Sequence, residues 1–154
     1  MENLSRILSE HPVLKGLESQ YIDLLVGCAS NVRFNPGTFV FMEGEEASQF
    51  YFIRHGKIAL EVNSPTGPVE VQTLKAGDIL GWAWFSPPYH WCSDAHVVEL
   101  TSAIAFDGNC LRAKCEKDKK LGYEFMKLIL LIMVQEFEST QLKIKEIAMK
   151  DHKK

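Results

Sequence analysis

Residues 34–58 read Phe34-Asn35-Pro36-Gly37-Thr38-Phe39-Val40-Phe41-Met42-Glu43-Gly44-Glu45-Glu46-Ala47-Ser48-Gln49-Phe50-Tyr51-Phe52-Ile53-Arg54-His55-Gly56-Lys57-Ile58. The runs Thr38 to Met42 and Phe50 to Arg54 have the length and the aromatic and β-branched content of strands. Between them, Asn35-Pro36-Gly37, Glu43-Gly44-Glu45 and His55-Gly56-Lys57 are turn combinations that supply positive φ or fix φ near about −65°. The same alternation continues outward through Val32 to Phe34, Ile58 to Val62, Val69 to Leu74, Ala95 to Leu100 and Ala103 to Phe106. Ser64-Pro65-Thr66-Gly67 and Ala76-Gly77-Asp78 add further turns. Seven or eight short strands punctuated about every ten residues predict a mainly β jelly roll over residues 30–106.

The period changes on both flanks. Over residues 1–28, Leu4, Ile7, Leu8, Leu14, Leu17, Ile22, Leu24 and Leu25 recur at helical spacing, with breaks at Pro12 and Gly16, which predicts two or three short helices packed outside the roll. After Asp107 there is no proline, and Gly108 and Gly122 are the remaining glycines, so residues 108–150 are expected to form a short helix over 108–117 and a long one over 119–150. Along the long helix Tyr123, Met126, Leu130, Met133, Phe137, Thr140, Ile144 and Ile147 step by alternating threes and fours, the spacing of a coiled-coil seam with one hydroxyl in it. A second stripe, Leu121, Phe125, Leu128, Ile129 and Ile132, exists only in the first half. The first half is therefore expected to touch the roll on one side and a partner helix on the other, the second half to pair mainly with its mate. At about 1.5 Å per residue such a helix is close to 48 Å long, and a homodimer is the simplest way to bury it. The competing reading is a helix lying across its own barrel. Residues 1–154 read as a single domain.

Composition narrows the function. Of 154 residues 46% are hydrophobic and 24% charged, and 17 Lys and Arg against 20 Asp and Glu give a net charge of −3, so no global field draws the chain to nucleic acid or anionic lipid. The basic end, Lys143, Lys145, Lys150, His152, Lys153 and Lys154, suits a solvated helix C-terminus. The longest apolar run, Leu128 to Val134, falls far short of the roughly 20 residues of a membrane helix, and Glu2, Arg6, Glu10 and Lys15 stand where a signal sequence would be apolar, so a cytoplasmic protein is expected. Cys28, Cys92, Cys110 and Cys115 are spread through a domain large enough to fold without staples, and free thiols are expected, with Cys110 and Cys115 as buried small hydrophobes. His90, Cys92 and His96 lack a fourth ligand nearby, and no metal site is expected. No nucleophile, base and orienting group fall into a recognisable pattern, so enzymatic activity is not expected.

The runs Phe34 to Gly37, Val40 to Glu45, Gln49 to Ile58 and Gly77-Asp78-Ile79-Leu80-Gly81, in this order between leading helices and a long C-terminal helix, resemble the cyclic-nucleotide-binding domain. That module serves catabolite-activator-type regulators, protein kinase A regulatory subunits and gated channels. The resemblance implies a regulatory domain that takes cyclic AMP or cyclic GMP inside the roll, with the long helix closing over the base and mediating dimerisation, and no certain cofactor beyond such a ligand. Regulators of this type carry a helix-turn-helix after the long helix, whereas this sequence ends at Lys154, so direct DNA binding is not expected.

The family's phosphate-binding segment normally reads Gly-Glu-(Leu or Ile)-Ala and, some residues on, Arg followed by a small residue. Here the corresponding stretch contains Gly81, Trp82, Ala83, Trp84, Tyr89, His90, Trp91, Ser93, Asp94, Ala95 and His96, taken together as the candidate ligand pocket. By the resemblance, Trp82 stands at the Glu that accepts the ribose hydroxyl and Ser93 at the Arg that pairs with the phosphate. Losing a bidentate Arg contact alone costs roughly 1.5–3 kcal/mol, one to two decades of affinity. Asp94 adds repulsion, and His90 and His96 are the nearby groups able to become cationic. The resemblance also places Ser139 and Thr140 near a bound base, although Thr140 serves equally as a register-fixing residue of the seam. The rings of Trp82, Trp84, Tyr89 and Trp91 either plug an empty pocket or line a site for an apolar ligand. The expected protein is a ligand-sensing module with lost or altered cyclic-nucleotide recognition. The alternatives are a genuine cyclic-nucleotide binder and a structural dimerisation module, any of them signalling to a protein partner that the sequence does not name.

Overall fold

The computed structural model describes residues 4–11 and 14–152; the break expected at Pro12 and the terminal lysines Lys153 and Lys154 lie outside the described residues. In chain order the elements are α1 (Leu4–Glu10), α2 (Ser19–Val26), β1 (Ala29–Phe34), β2 (Phe39–Phe41), β3 (Gln49–Ser64), β4 (Gly67–Lys75), β5 (Ile79–Leu80), a 3-10 turn (Ala83–Phe85), β6 (Asp94–Asp107), α3 (Gly108–Lys117) and α4 (Lys119–His152). All strand pairs are antiparallel, in the order β1-β6-β3-β4, with β2 on β6 and β5 on β3. The expected class is thus met: an antiparallel β-roll between short N-terminal helices and a long C-terminal helix. Among the described residues no helix is long and apolar enough to cross a membrane.

The strand count differs from expectation because two expected pairs of strands are continuous. Residues 50–54 and 58–62 belong to β3, and residues 95–100 and 103–106 to β6. His55-Gly56-Lys57, read as a turn, is instead a bend inside β3, where the register against β6 shifts between Ile53 and Ile58. Gly56 makes the bend possible: its φ is +103°, and a Cβ there would meet the Leu100 carbonyl oxygen at 2.6 Å. Ahead of the bend β3 pairs with β5, and beyond it with β4.

Inside the roll the Phe50 ring lies 4.8 Å from Phe106 and 4.9 Å from Trp84, and Leu8, Leu14, Ile22 and Leu25 from the N-terminal segment join the same core. Two aspartates start the C-terminal helices. The Asp107 carboxylate accepts the Asn109 and Cys110 amides, and that of Asp118 accepts the Leu121 amide at 3.1 Å. The long helix splits as its two stripes do. Phe125, Ile129 and Ile132 are buried in one core cluster with the roll and Leu121 is also buried, while Tyr123, Met126, Leu130, Met133, Phe137, Ile144 and Ile147 of the seam are exposed.

The cysteine expectation is corrected. Cys28 and Cys110 form a disulfide across 82 residues of sequence, with Cα atoms 5.7 Å apart; Cys92 and Cys115 are free thiols. Their separation hides the pair in the sequence. The antiparallel register of Ala29 against Phe106 sets Cys28 beside Asp107, whose amide donates to the Cys28 carbonyl, and one helical turn then delivers Cys110. By loop-closure entropy a cross-link of this span stabilises by up to about 4.5 kcal/mol. The Lys114 ammonium, donating to the Leu24 carbonyl at 2.8 Å, ties α3 to the end of α2 a second time.

Candidate ligand-binding site

β5 ends at Leu80 and β6 starts at Asp94, and the loop between them reaches α4 through a hydrogen bond from Trp82 to Glu136. Beneath it lies a cavity of about 370 Å³. Gly81, Trp82, Ala83, Trp91 and Ser93 of the loop contribute to its wall, so these five sequence candidates share one space. The roll adds Phe41, Leu60 and Leu80, and the helix adds Ile129 and Met133. Trp91 stacks on Phe41 with ring centroids 3.8 Å apart. Gly81, at φ +100°, permits this, because a Cβ there would lie 2.7 Å from the Trp91 ring.

The other candidates point elsewhere. Trp84 is buried in the core, and its indole N–H has no hydrogen-bond partner. Tyr89 sits under the Arg112 guanidinium, 4.6 Å from its ring centroid. His90 is exposed, with Nδ1 2.7 Å from the Pro88 carbonyl oxygen. The Asp94 carboxylate is buried and accepts the Glu43 amide at 2.7 Å, and Ala95 is buried in β6. His96 stacks on Phe39, with Nδ1 3.4 Å from a Glu61 carboxylate oxygen. Neither histidine lines the cavity. Among the described residues no group of three or more His, Cys, Asp or Glu is arranged to hold a metal.

Ser139 and Thr140 also lie away from the apolar cavity. Ser139 lines a separate polar cleft of about 330 Å³, together with Lys75, Asp78, Glu136 and Lys143. The Thr140 hydroxyl donates back to the Glu136 carbonyl at 2.9 Å.

Sequence reasoning missed Glu136. The Trp82 indole N–H donates to its carboxylate at 3.0 Å, fastening the loop to α4 across 54 residues of sequence. The signal was present: Glu136 follows Ile132 by four and so continues the roll-facing stripe of Leu121, Phe125, Ile129 and Ile132. Burial pushes the Glu136 carboxyl above the ordinary range, the Trp82 hydrogen bond pulls it back, and the neighbouring Asp78 charge pushes it up further.

A raised carboxyl binds its proton more tightly folded than unfolded, so its stabilising contribution is fully present below its unfolded pKa and is lost as pH rises through the higher folded value. Glu136→Gln retains an acceptor for the indole and removes the titration. Compared with the variant, the wild-type chain should therefore lose stability as pH rises from about 4.5. Denaturant melts of both proteins across acidic to neutral pH check this, and parallel curves would show that Glu136 is not perturbed.

Comparison with known proteins sets this site in context. The family described as cyclic nucleotide-binding domain matches residues 31–118, more than half of the chain. The human cyclic nucleotide-gated channel beta-3 is 37% identical over 76 residues, 49% of this chain but 9% of the channel. The CRP-like cAMP-activated global transcriptional regulator of Mycobacterium tuberculosis is 24% identical over 127 residues, 82% of this chain and 57% of the regulator. The chain thus spans at most a little over half the length of these two relatives. A cyclic nucleotide-binding domain from Methylobacillus flagellatus superposes with a TM-score of 0.80 at 14% identity, over 93% of this chain and 81% of that one, which shows the shared fold. On the family match, the roll and the two flanking helical segments, this chain belongs to the cyclic nucleotide-binding domain family.

Proposed function

We propose that this chain is a non-enzymatic regulatory module of its family in which ordinary recognition of cyclic AMP and cyclic GMP is lost or altered. The observation that carries this reading is the hydrogen bond from Trp82 to Glu136. Where the resemblance sets the ribose-accepting carboxylate there is an indole, and its only polar atom is committed to the long helix. Ser93 holds the position the resemblance gives to the phosphate-pairing Arg, and among the described residues no Lys, Arg or His lines the cavity. A cyclic phosphate entering it would lose hydration without meeting a countercharge, which costs several kcal/mol. The reading in which His90 or His96 supplies that charge has no support from their positions on Pro88 and Glu61.

The exposed seam supports a second part of the proposal, a parallel homodimer through Tyr123, Met126, Leu130, Met133, Phe137, Thr140, Ile144 and Ile147. Loop 81–93 touches the same helix through Glu136. A ligand that moves Trp82 would thereby alter the helix, and a partner protein would read the change on the dimer.

Calorimetric titration tests the first part: millimolar cyclic AMP or cyclic GMP should give no saturable heat, and micromolar binding would overturn it. For the second, sedimentation of Leu130→Glu should report half the wild-type mass. An unchanged mass would refute the seam.

A further inference from the structure

We propose that the cavity beneath loop 81–93 is a binding site for an uncharged aromatic or alicyclic molecule of about two or three rings, with at most a hydroxyl or carbonyl as its polar handle. This deepens the proposed loss of cyclic-nucleotide recognition and rests on it. The cavity's walls argue for the class. Phe41, Leu80, Trp82, Trp91, Ile129 and Met133 supply flat and aliphatic surface, and among the described lining residues Ser86, Cys92, Ser93 and the two indole N–H groups carry the polar side-chain atoms. Charged groups close in sequence to the lining have partners of their own: the Asp94 carboxylate accepts the Glu43 amide, the Glu61 carboxylate lies 3.4 Å from His96 Nδ1, and Glu136 accepts the Trp82 indole N–H and lines the polar cleft. A neutral ring system entering this space sheds its hydration and leaves no charge unpaired; an anion does not.

Size points the same way. An apolar cavity of about 150 Å³ holds one benzene, and this one measures about 370 Å³, within the range of small-molecule sites. Two rings of the wall are already fixed. Trp91 is locked by its stack on Phe41 and by Gly81, and Trp82 by Glu136, so little side-chain entropy remains to be lost on binding.

The test is fluorescence titration of the full chain with the neutral dye N-phenyl-1-naphthylamine, followed by competition with 2-naphthol and, separately, with cyclic AMP. The expected result is saturable micromolar binding of one dye per chain, displaced by 2-naphthol and untouched by millimolar cyclic AMP. Filling the cavity with Ala83→Phe or, independently, Ser93→Phe should weaken the dye at least about tenfold. Leu130→Glu, on the exposed seam, should leave it unchanged, and thermal melts check that each variant is folded. No saturable binding, or binding abolished by Leu130→Glu but not by either filling variant, would overturn the ligand class while leaving the loss of cyclic-nucleotide recognition standing. Displacement by micromolar cyclic AMP would overturn both.

Discussion

The pairing of β3 with β6 is the constraint on which the other elements depend. It runs from Gln49 opposite Asp107 to Glu61 opposite Asp94, and each of the other described strands adds to one of these two. Where Gly56 packs on Leu100 and Thr101 the register shifts, and β3 pairs with β5 ahead of that point and with β4 beyond it. The near end of β6 fixes where loop 81–93 must land; the far end fixes Asp107, which starts α3 and lies beside Cys28. The disulfide, the helix cap and the placement of the cavity therefore follow from one register.

On that frame the chemistry of the site is set by what the loop does with its polar groups. The indole N–H of Trp82, the carboxylate of Asp94 and the ring nitrogen of His90 are each bonded to protein rather than directed into the cavity. What remains facing inward is apolar surface, with three small polar side chains at its edge. On the proposed reading such a space discriminates by desolvation, favouring neutral rings and penalising a phosphate. The hydrogen bond from Trp82 to Glu136 has a second consequence. It joins the loop to α4, whose seam is exposed, and on the proposed reading occupancy of the roll would be read on that helix surface.

Much of the fold was legible because its signals are local. The spacing of Leu121, Phe125, Ile129 and Ile132 marks the buried face of the long helix, and the run 108–117 is a helix with those bounds. What local reading could not supply was continuity and distance. Gly56 has the sequence signature of a turn, and only its close approach to β6 turns that signature into a bend within one strand. Cys28 and Cys110 carry no spacing signal, since a strand register brings them together. The loop was the least legible part. Trp82, Trp84 and Trp91 are alike as residue types, yet one caps a helix carboxylate, one fills the core and one walls the cavity. Side-chain direction in an irregular loop is decided by tertiary packing, to which periodicity is blind. Glu136 was the exception, an acid on a buried stripe, which is a readable sign of a committed partner.

The central claim is that the indole of Trp82 occupies Glu136 and leaves the cavity without a group that holds a cyclic nucleotide. The most direct measurement is the indole ¹⁵N–¹H spectrum of the protein, with the Trp82 resonance assigned by Trp82→Phe and followed against pH and against added cyclic nucleotide. The account predicts that the Trp82 signal moves as Glu136 titrates and stays in place, with that of Trp91, at millimolar cyclic AMP or cyclic GMP. A Trp82 signal indifferent to the protonation of Glu136, or one displaced together with Trp91 by micromolar nucleotide, would contradict it.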